Sequence, residues 1–253
     1  MINFKGGCTK TSSVVGLGSA LAEMGKKVLL VDCDPQGHVS MHLGIGHENL
    51  DLTLMDVLGS RHRSAANAIL DTDEDNLFVV PATRDLLHAR YSLSDRPRRD
   101  AILASALRPV KNKFDFVLID TPPDEGLLSV NALYASRYFI IPTTLDVFSL
   151  TGIRPLIECL HLMREAYPDR RLDLMGVLIN RYDARLKTQN NKNMDELSEQ
   201  FGDKIFETYI RADEEIRKAQ AQGKTVFRCN PKSKGASDFA ALAQEIVNKV
   251  ITA

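Results

Sequence analysis

An α/β fold, with a mostly parallel twisted sheet and helices on both faces, is predicted by two observations on this sequence. Short apolar runs near 28–31, 77–80, 116–119, 138–141 and 174–179 alternate with longer stretches of helical period, the pattern of strand–helix–strand units. Two of these runs, Val28–Val31 and Phe116–Ile119, lead into aspartates and then turn residues. Buried parallel strands deliver carboxylates in this way to the C-terminal edge of an open sheet, where ligands bind.

The first element is the segment Lys5-Gly6-Gly7-Cys8-Thr9-Lys10-Thr11-Ser12. A glycine-rich turn followed by Lys-Thr at the start of a helix aims backbone N–H groups, and the positive end of the helix dipole, at phosphate oxygens. The pattern predicts a nucleoside triphosphate site in which Lys10 reaches the β- and γ-phosphates and Thr11 offers its hydroxyl to Mg²⁺. The helix runs over 13–24 and ends at Gly25. Only Met1-Ile2-Asn3-Phe4 precede Lys5, whereas the strand entering such a loop usually needs about five or six residues. Either the first strand is short or the natural start lies upstream.

Next comes Val28-Leu29-Leu30-Val31-Asp32-Cys33-Asp34-Pro35-Gln36-Gly37, a strand ending in two carboxylates. Asp32 either takes part in the chemistry of that edge or caps the strand end. The run Phe116-Val117-Leu118-Ile119-Asp120-Thr121-Pro122-Pro123 places a further carboxylate at a strand end. Asp120 is suited to hold Mg²⁺ through water, since that ion keeps part of its hydration shell.

Together these residues resemble the deviant Walker A ATPases of the ParA/MinD/NifH class, closest to the small Soj-like partition proteins. The carrying motifs are Lys5-Gly6-Gly7 with Lys10-Thr11, Asp32-Cys33-Asp34-Pro35-Gln36-Gly37, and Asp120-Thr121-Pro122-Pro123. The resemblance implies a P-loop NTPase fold and Mg²⁺-dependent ATP hydrolysis, with Thr11, Asp34 and Asp120 around the metal and Asp34, beside the attacking water, as the candidate for catalysis. It gives Lys5 a role across a dimer interface, so that ATP binding and homodimerisation become one event. Thr9 departs from the glycine usual before the loop lysine, a position where a β-branched residue is strained. It bears on the hydrolysis rate more than on binding.

Resemblance continues through Pro142 and Ser149-Leu150-Thr151-Gly152, and through Val177-Leu178-Ile179-Asn180, where Asn180 is implied as the adenine contact. The guanine-reading Asn-Lys-x-Asp tetrapeptide is absent there. Near the end, Gly223-Lys224-Thr225-Val226 follows the family's Gly-Lys-Pro-Val with Thr225 in place of proline. Residues between Ile210 and Gly223 are expected along the base and the dimer edge. Helical spacing is found over Leu145–Arg164, Met194–Phe201 and the last turns from Phe239.

Composition narrows the class. At 253 residues, 44% hydrophobic and 26% charged, the chain reads as one globular ATPase domain over 1–253. It has no run of about eighteen apolar residues and no signal-peptide pattern. Cys8, Cys33, Cys159 and Cys229 show no metal spacing, and read as reduced thiols of a cytoplasmic protein. No cysteine follows Asp120 until Cys159, which disfavours a nitrogenase-type cluster. The last helix carries few cations, which disfavours a MinD-like membrane anchor.

Net charge is −1, so any nucleic-acid contact must be local. Positions 84–113 hold eight Lys/Arg against three Asp, and the later region contributes Arg181, Arg185, Lys187, Arg211, Arg217, Lys218, Lys224, Lys232 and Lys234. In the family such later residues form a sequence-independent DNA surface once two subunits combine. The expectation is therefore a nucleoid-associated ATPase that positions a cargo, a plasmid, a chromosome or a protein assembly such as a carboxysome. It acts with a ParB-like or cargo-adaptor protein that stimulates hydrolysis. A MinD-like membrane ATPase, a non-hydrolysing dimerisation switch and, more distantly, an ATP-dependent ligase are the alternatives.

Overall fold

Burial of one strand on both faces organises the molecule. In the computed structural model, which describes residues 1–59, 64–145 and 153–251, β1 (Val28–Asp32) is buried at every position. Val28 and Leu30 face one way, onto Val14, Leu17 and Leu21 of α1 (Lys10–Glu23) and onto Phe239 and Leu242 of the C-terminal helix. Leu29 and Val31 face the other, onto Leu54, Leu58 and Leu103. A strand buried on both faces needs apolar residues throughout rather than alternation, which is why Val-Leu-Leu-Val was readable.

Beyond β1 come α2 (His38–His42), α3 (Leu54–Gly59), β2 (Leu70–Asp71) and β3 (Leu77–Val80), then α4 (Ala89–Ser92), α5 (Ile102–Leu107) and β4 (Phe116–Asp120). The second half runs α6 (Leu127–Ala135), β5 (Tyr138–Thr144), α7 (Arg154–Ala166), β6 (Asp173–Tyr182), α8 (Lys187–Phe201) and β7 (Ile210–Arg211). It closes with α9 (Glu214–Ala221), α10 (Val226–Cys229) and α11 (Lys234–Ile251). The five apolar runs predicted as strands are β1, β3, β4, β5 and β6. The helix expected over Leu145–Arg164 is found as Arg154–Ala166; residues 146–152, with the Ser149–Gly152 motif, lie outside the described residues.

The sheet is built in two ladders rather than one. One has the order β2-β3-β1-β4 and the other β5-β6-β7, all parallel except the β2–β3 pair. Residues 1–3 join them: the Met1 amine donates to Ile119 O at 2.8 Å and the Ile2 N–H to Ile140 O at 3.0 Å. Helices α1 and α11 pack closely on one face, where a Cβ on Gly16 would come within 2.4 Å of the Phe239 ring. Only glycine lets the two helices approach so far. A third apolar cluster, with Ile141, Leu156, Leu160 and Leu197, holds α7 and α8 to the second ladder.

Candidate nucleotide site

The three carboxylates and the glycine turn predicted to meet do meet, at the C-terminal edge of β1 and β4. Asn3, fully buried, ties the turn down: its Nδ2 donates to Pro142 O and its Oδ1 accepts from the Lys5 N–H, both at 2.9 Å. Lys5 is half-buried directly ahead of the exposed Gly6 and Gly7. Lys10 is buried, and its ammonium donates to Asn3 O at 2.9 Å and Lys5 O at 3.2 Å. The turn is thus curled around a positive charge.

Gly7 and Thr9 take left-handed backbone, with φ of +77 and +62. For glycine this is free, whereas a non-glycine residue there costs about 1–2 kcal/mol. Thr9 is the N-cap of α1 and makes no side-chain cap; its hydroxyl donates to Cys8 O at 2.7 Å. The sequence expectation of strain at Thr9 therefore has a geometric basis. Cys8 is buried with its thiol on Lys5 O at 3.2 Å, and burial raises its pKa while the Lys10 charge opposes that.

Thr11, in the first turn of α1, donates from Oγ1 to Asp120 Oδ2 at 2.6 Å. Asp120 is fully buried, and its Oδ1 has no hydrogen-bond partner among the described residues. Burial pushes its pKa up to about 6, against the Thr11 bond and the charges of the Met1 amine and Lys10. A buried, unpartnered carboxylate oxygen beside a threonine hydroxyl suits Mg²⁺, which takes oxygen ligands from one or two side chains and completes its shell with phosphate and water. Among the described residues no cluster of three or more His, Cys, Asp and Glu could hold an ion alone.

Asp32 and Asp34 divide their work. Asp32 is fully buried, with Oδ1 accepting from the Asp34 N–H at 3.0 Å and Oδ2 from the Val39 N–H at 3.1 Å. It shapes the turn from β1 to α2, and burial together with the Asp120 charge holds its pKa well above the usual carboxylate range. Asp34 is less committed: among the described residues its Oδ1 accepts the Gln36 N–H alone, at 2.9 Å.

On the far side of the turn, Asn180 at the end of β6 is buried and its amide is engaged by the loop. Nδ2 donates to Ser13 Oγ at 3.1 Å and lies 3.5 Å from Cys8 O. Ser12 Oγ accepts from Gln220 Nε2 of α9 at 2.8 Å, which brings α9 against the phosphate-loop helix.

The basic candidates separate into two groups. Arg185 is forked on Asp183, Arg217 pairs with Glu214 and Lys218 with Glu215. Arg211 clamps Asp238 through Nε and Nη2, and its N–H also donates to that carboxylate, so it joins β7 to α11. Arg211 thus has a structural role, with its side chain still 44% exposed. Arg181, Lys224, Lys232 and Lys234 are exposed and have no ion pair among the described residues. The side chain of Lys187 lies outside the described residues.

Sequence reasoning missed two contributors. Gln220 had no motif around it. Glu74 is buried and accepts hydrogen bonds from Ser19 of α1 and from Thr225. Thr225, standing where the resemblance expects proline, supplies the hydroxyl; that substitution was the available signal.

Comparison with known proteins follows from this geometry. The family model AAA_31, an AAA domain, matches residues 1–173. An uncharacterized protein of Mycobacterium tuberculosis (strain H37Rv) is 39% identical over 250 residues, 98% of this chain and 78% of its own. The chromosome-partitioning ATPase Soj of Treponema pallidum (strain Nichols) is 35% identical over 247 residues, 97% of this chain and 95% of its own. Among solved structures, cobyrinic acid a,c-diamide synthase from Mycobacterium smegmatis, with bound ATP analog and magnesium, superposes with a TM-score of 0.83. It is 29% identical and covers 97% of this chain and 92% of its own.

Proposed function

Because the chain belongs to the ParA/Soj family of chromosome-partitioning ATPases, we propose that it is a slow, Mg²⁺-dependent ATPase whose ATP-bound dimer holds DNA without regard to sequence and positions a cargo. The observation that supports this most is the placing of Lys5 directly ahead of Gly6-Gly7, with Lys10, Thr11 and Asp120 assembled beneath. A single lysine suffices to bind nucleotide within one subunit. By the family resemblance, Lys5 reaches a nucleotide held by a second copy.

In this reading the whole chain is one ATPase domain. Lys10 exchanges its carbonyl partners for the β- and γ-phosphate oxygens, and the N–H groups from Gly7 to Ser12 surround them. The Thr11 hydroxyl and Asp120 Oδ1 would hold Mg²⁺, which would supply neutralisation of the charge that develops on the phosphates. Asp34 orients the attacking water, since Asp32 has both oxygens committed to backbone. Asn180 supports the loop beside the adenine. Arg181, Lys224, Lys232 and Lys234, with Lys187, contact DNA phosphates, and two-fold symmetry doubles that modest charge. A ParB-like protein or cargo adaptor stimulates hydrolysis and release. The chain works in the cytoplasm on the nucleoid, without a membrane partner, and none of the described helices is long and apolar enough to cross one.

Left-handed Thr9 favours a second reading, a switch that dimerises on ATP and barely hydrolyses it. Multiple-turnover phosphate release separates the two. The first test is binding to random-sequence DNA with ATP, ADP or no nucleotide, for the wild type and Lys5→Ala. Binding that needs ATP, weakens with salt and disappears in Lys5→Ala supports the proposal; DNA binding in no nucleotide state sinks it.

A further inference from the structure

Helix α1 carries Ser12 and Ser19 on one stripe, two helical turns and about 10 Å apart along the axis, and one short segment meets both. At its start Gln220 Nε2 donates to Ser12 Oγ at 2.8 Å, and at its end Thr225 Oγ1 lies 3.2 Å from Ser19 Oγ. Between these points the backbone of Gly223 presses on Gly44, just after α2. A Cβ on either glycine would come within 2.7 Å of the other's backbone. Residues 220–225 are thus laid along α1 like a splint, with the phosphate loop at one end.

The other end is fixed by Glu74. This residue is buried in the turn into β3, and that turn closes without its side chain: the Glu74 N–H donates to Thr72 Oγ1 at 3.1 Å and the Leu77 N–H to Glu74 O at 3.3 Å. The carboxylate reaches away instead, taking the Ser19 hydroxyl on Oε2 and the Thr225 hydroxyl on Oε1. A buried carboxylate needs such donors, but Ser19 alone would tie the turn to α1. Thr225 gives up another use of its hydroxyl to be the second. It is the N-cap of α10 and makes no side-chain cap, although threonine there ordinarily accepts from the N–H groups of its own helix. The proline that the resemblance expects at this place has no hydroxyl to give. Arg228 of α10 also donates to Asp73 O, so the same turn holds the far end of the splint twice.

We propose that Glu74 and Thr225 are positioning residues for the phosphate loop, acting through Gln220 on Ser12. With its far end anchored, the segment has one register on α1, and the Gln220 bond holds the first turn, where Lys10 and Thr11 sit, before a ligand arrives. A loop already ordered leaves less for the ligand to order, so the effect falls on affinity rather than on the chemical step. The consequence for ATP rests on the nucleotide reading of this loop; the linkage itself does not.

Steady-state ATP hydrolysis, together with amide exchange measured without nucleotide, tests this on the full chain. Thr225→Val keeps the shape and removes the hydroxyl. It should raise KM for ATP about fivefold or more while kcat stays within about twofold, and should speed exchange of the residue 13–16 amides about threefold or more. Thr225→Ser should hold both at the wild-type values. Gln220→Ala should act as Thr225→Val does, and the double variant should be no worse than either, because both lie on one path. Additive effects, or a lower Tm with KM and exchange unchanged, would reduce the Thr225 bond to packing and overturn the proposal. If Thr225→Val does not fold, Glu74→Gln, which keeps the volume and removes the charge, takes its place with the same expectations. Wild-type protein that binds no ATP while exchange responds as expected would overturn the nucleotide reading and leave the linkage standing. Exchange indifferent to these substitutions would overturn the linkage, whatever the protein does with ATP.

Discussion

The phosphate-loop edge and the basic surface of residues 181–234 use charge in opposite ways. At the loop, Lys10, Asp32 and Asp120 are buried and each is gripped by backbone or by a hydroxyl, so the fold decides where the charge sits. On the surface, Arg185, Arg217 and Lys218 face water and pair with acids two or three residues away. Exposed pairs of this kind are screened by water and contribute little to stability. A charge fixed by the fold can perform chemistry alone, while one fixed by a neighbouring side chain is easily lent to a passing phosphate.

Breaking the first region should therefore cost far more than breaking the second. Lys10→Ala removes the buried cation, and ATP affinity by equilibrium titration should fall at least about a hundredfold, the loss of a charge-assisted contact of ~3 kcal/mol; a change within threefold would show that the buried position is irrelevant. Asp120→Asn should leave Mg²⁺-free nucleotide binding nearly intact and lower Mg²⁺-dependent phosphate release by about 10–100-fold, which a Mg²⁺ titration of the rate checks. Thr9→Gly relieves the left-handed residue and should raise stability by about 1 kcal/mol in denaturant unfolding; a loss of stability would mean that the Thr9–Cys8 bond outweighs the strain. Lys224→Ala should change DNA affinity least, about two- to threefold, and lower the salt slope by about one. A hundredfold loss there would erase the contrast.

Legibility followed the same division. The strands were readable because burial on both faces forces unbroken Val, Leu and Ile, and Asp120 because a carboxylate at such a strand end has no packing reason to exist. Thr9 was suspect from residue type alone, and the left-handed angle is the physical cause. Separation into two ladders was not readable, since it depends on how residues 1–3 pair, although the few residues ahead of Lys5 pointed to that place. Arg211 looked like its basic neighbours because Asp238 is 27 residues away in sequence, and a pair formed by tertiary contact leaves no local pattern. Glu74 stood in a run of acids, where nothing singles out the one that turns inward.

Asn3 has one more implication. Its side chain spans Pro142 of the second ladder and Lys5 of the loop, while Met1 beside it holds Ile119 of the first. The loop is mounted on the seam of two plates, like a pin through a hinge. The separation of Lys5 from Asp120 is therefore set by how the amino terminus ties the two ladders together, and not by the loop alone.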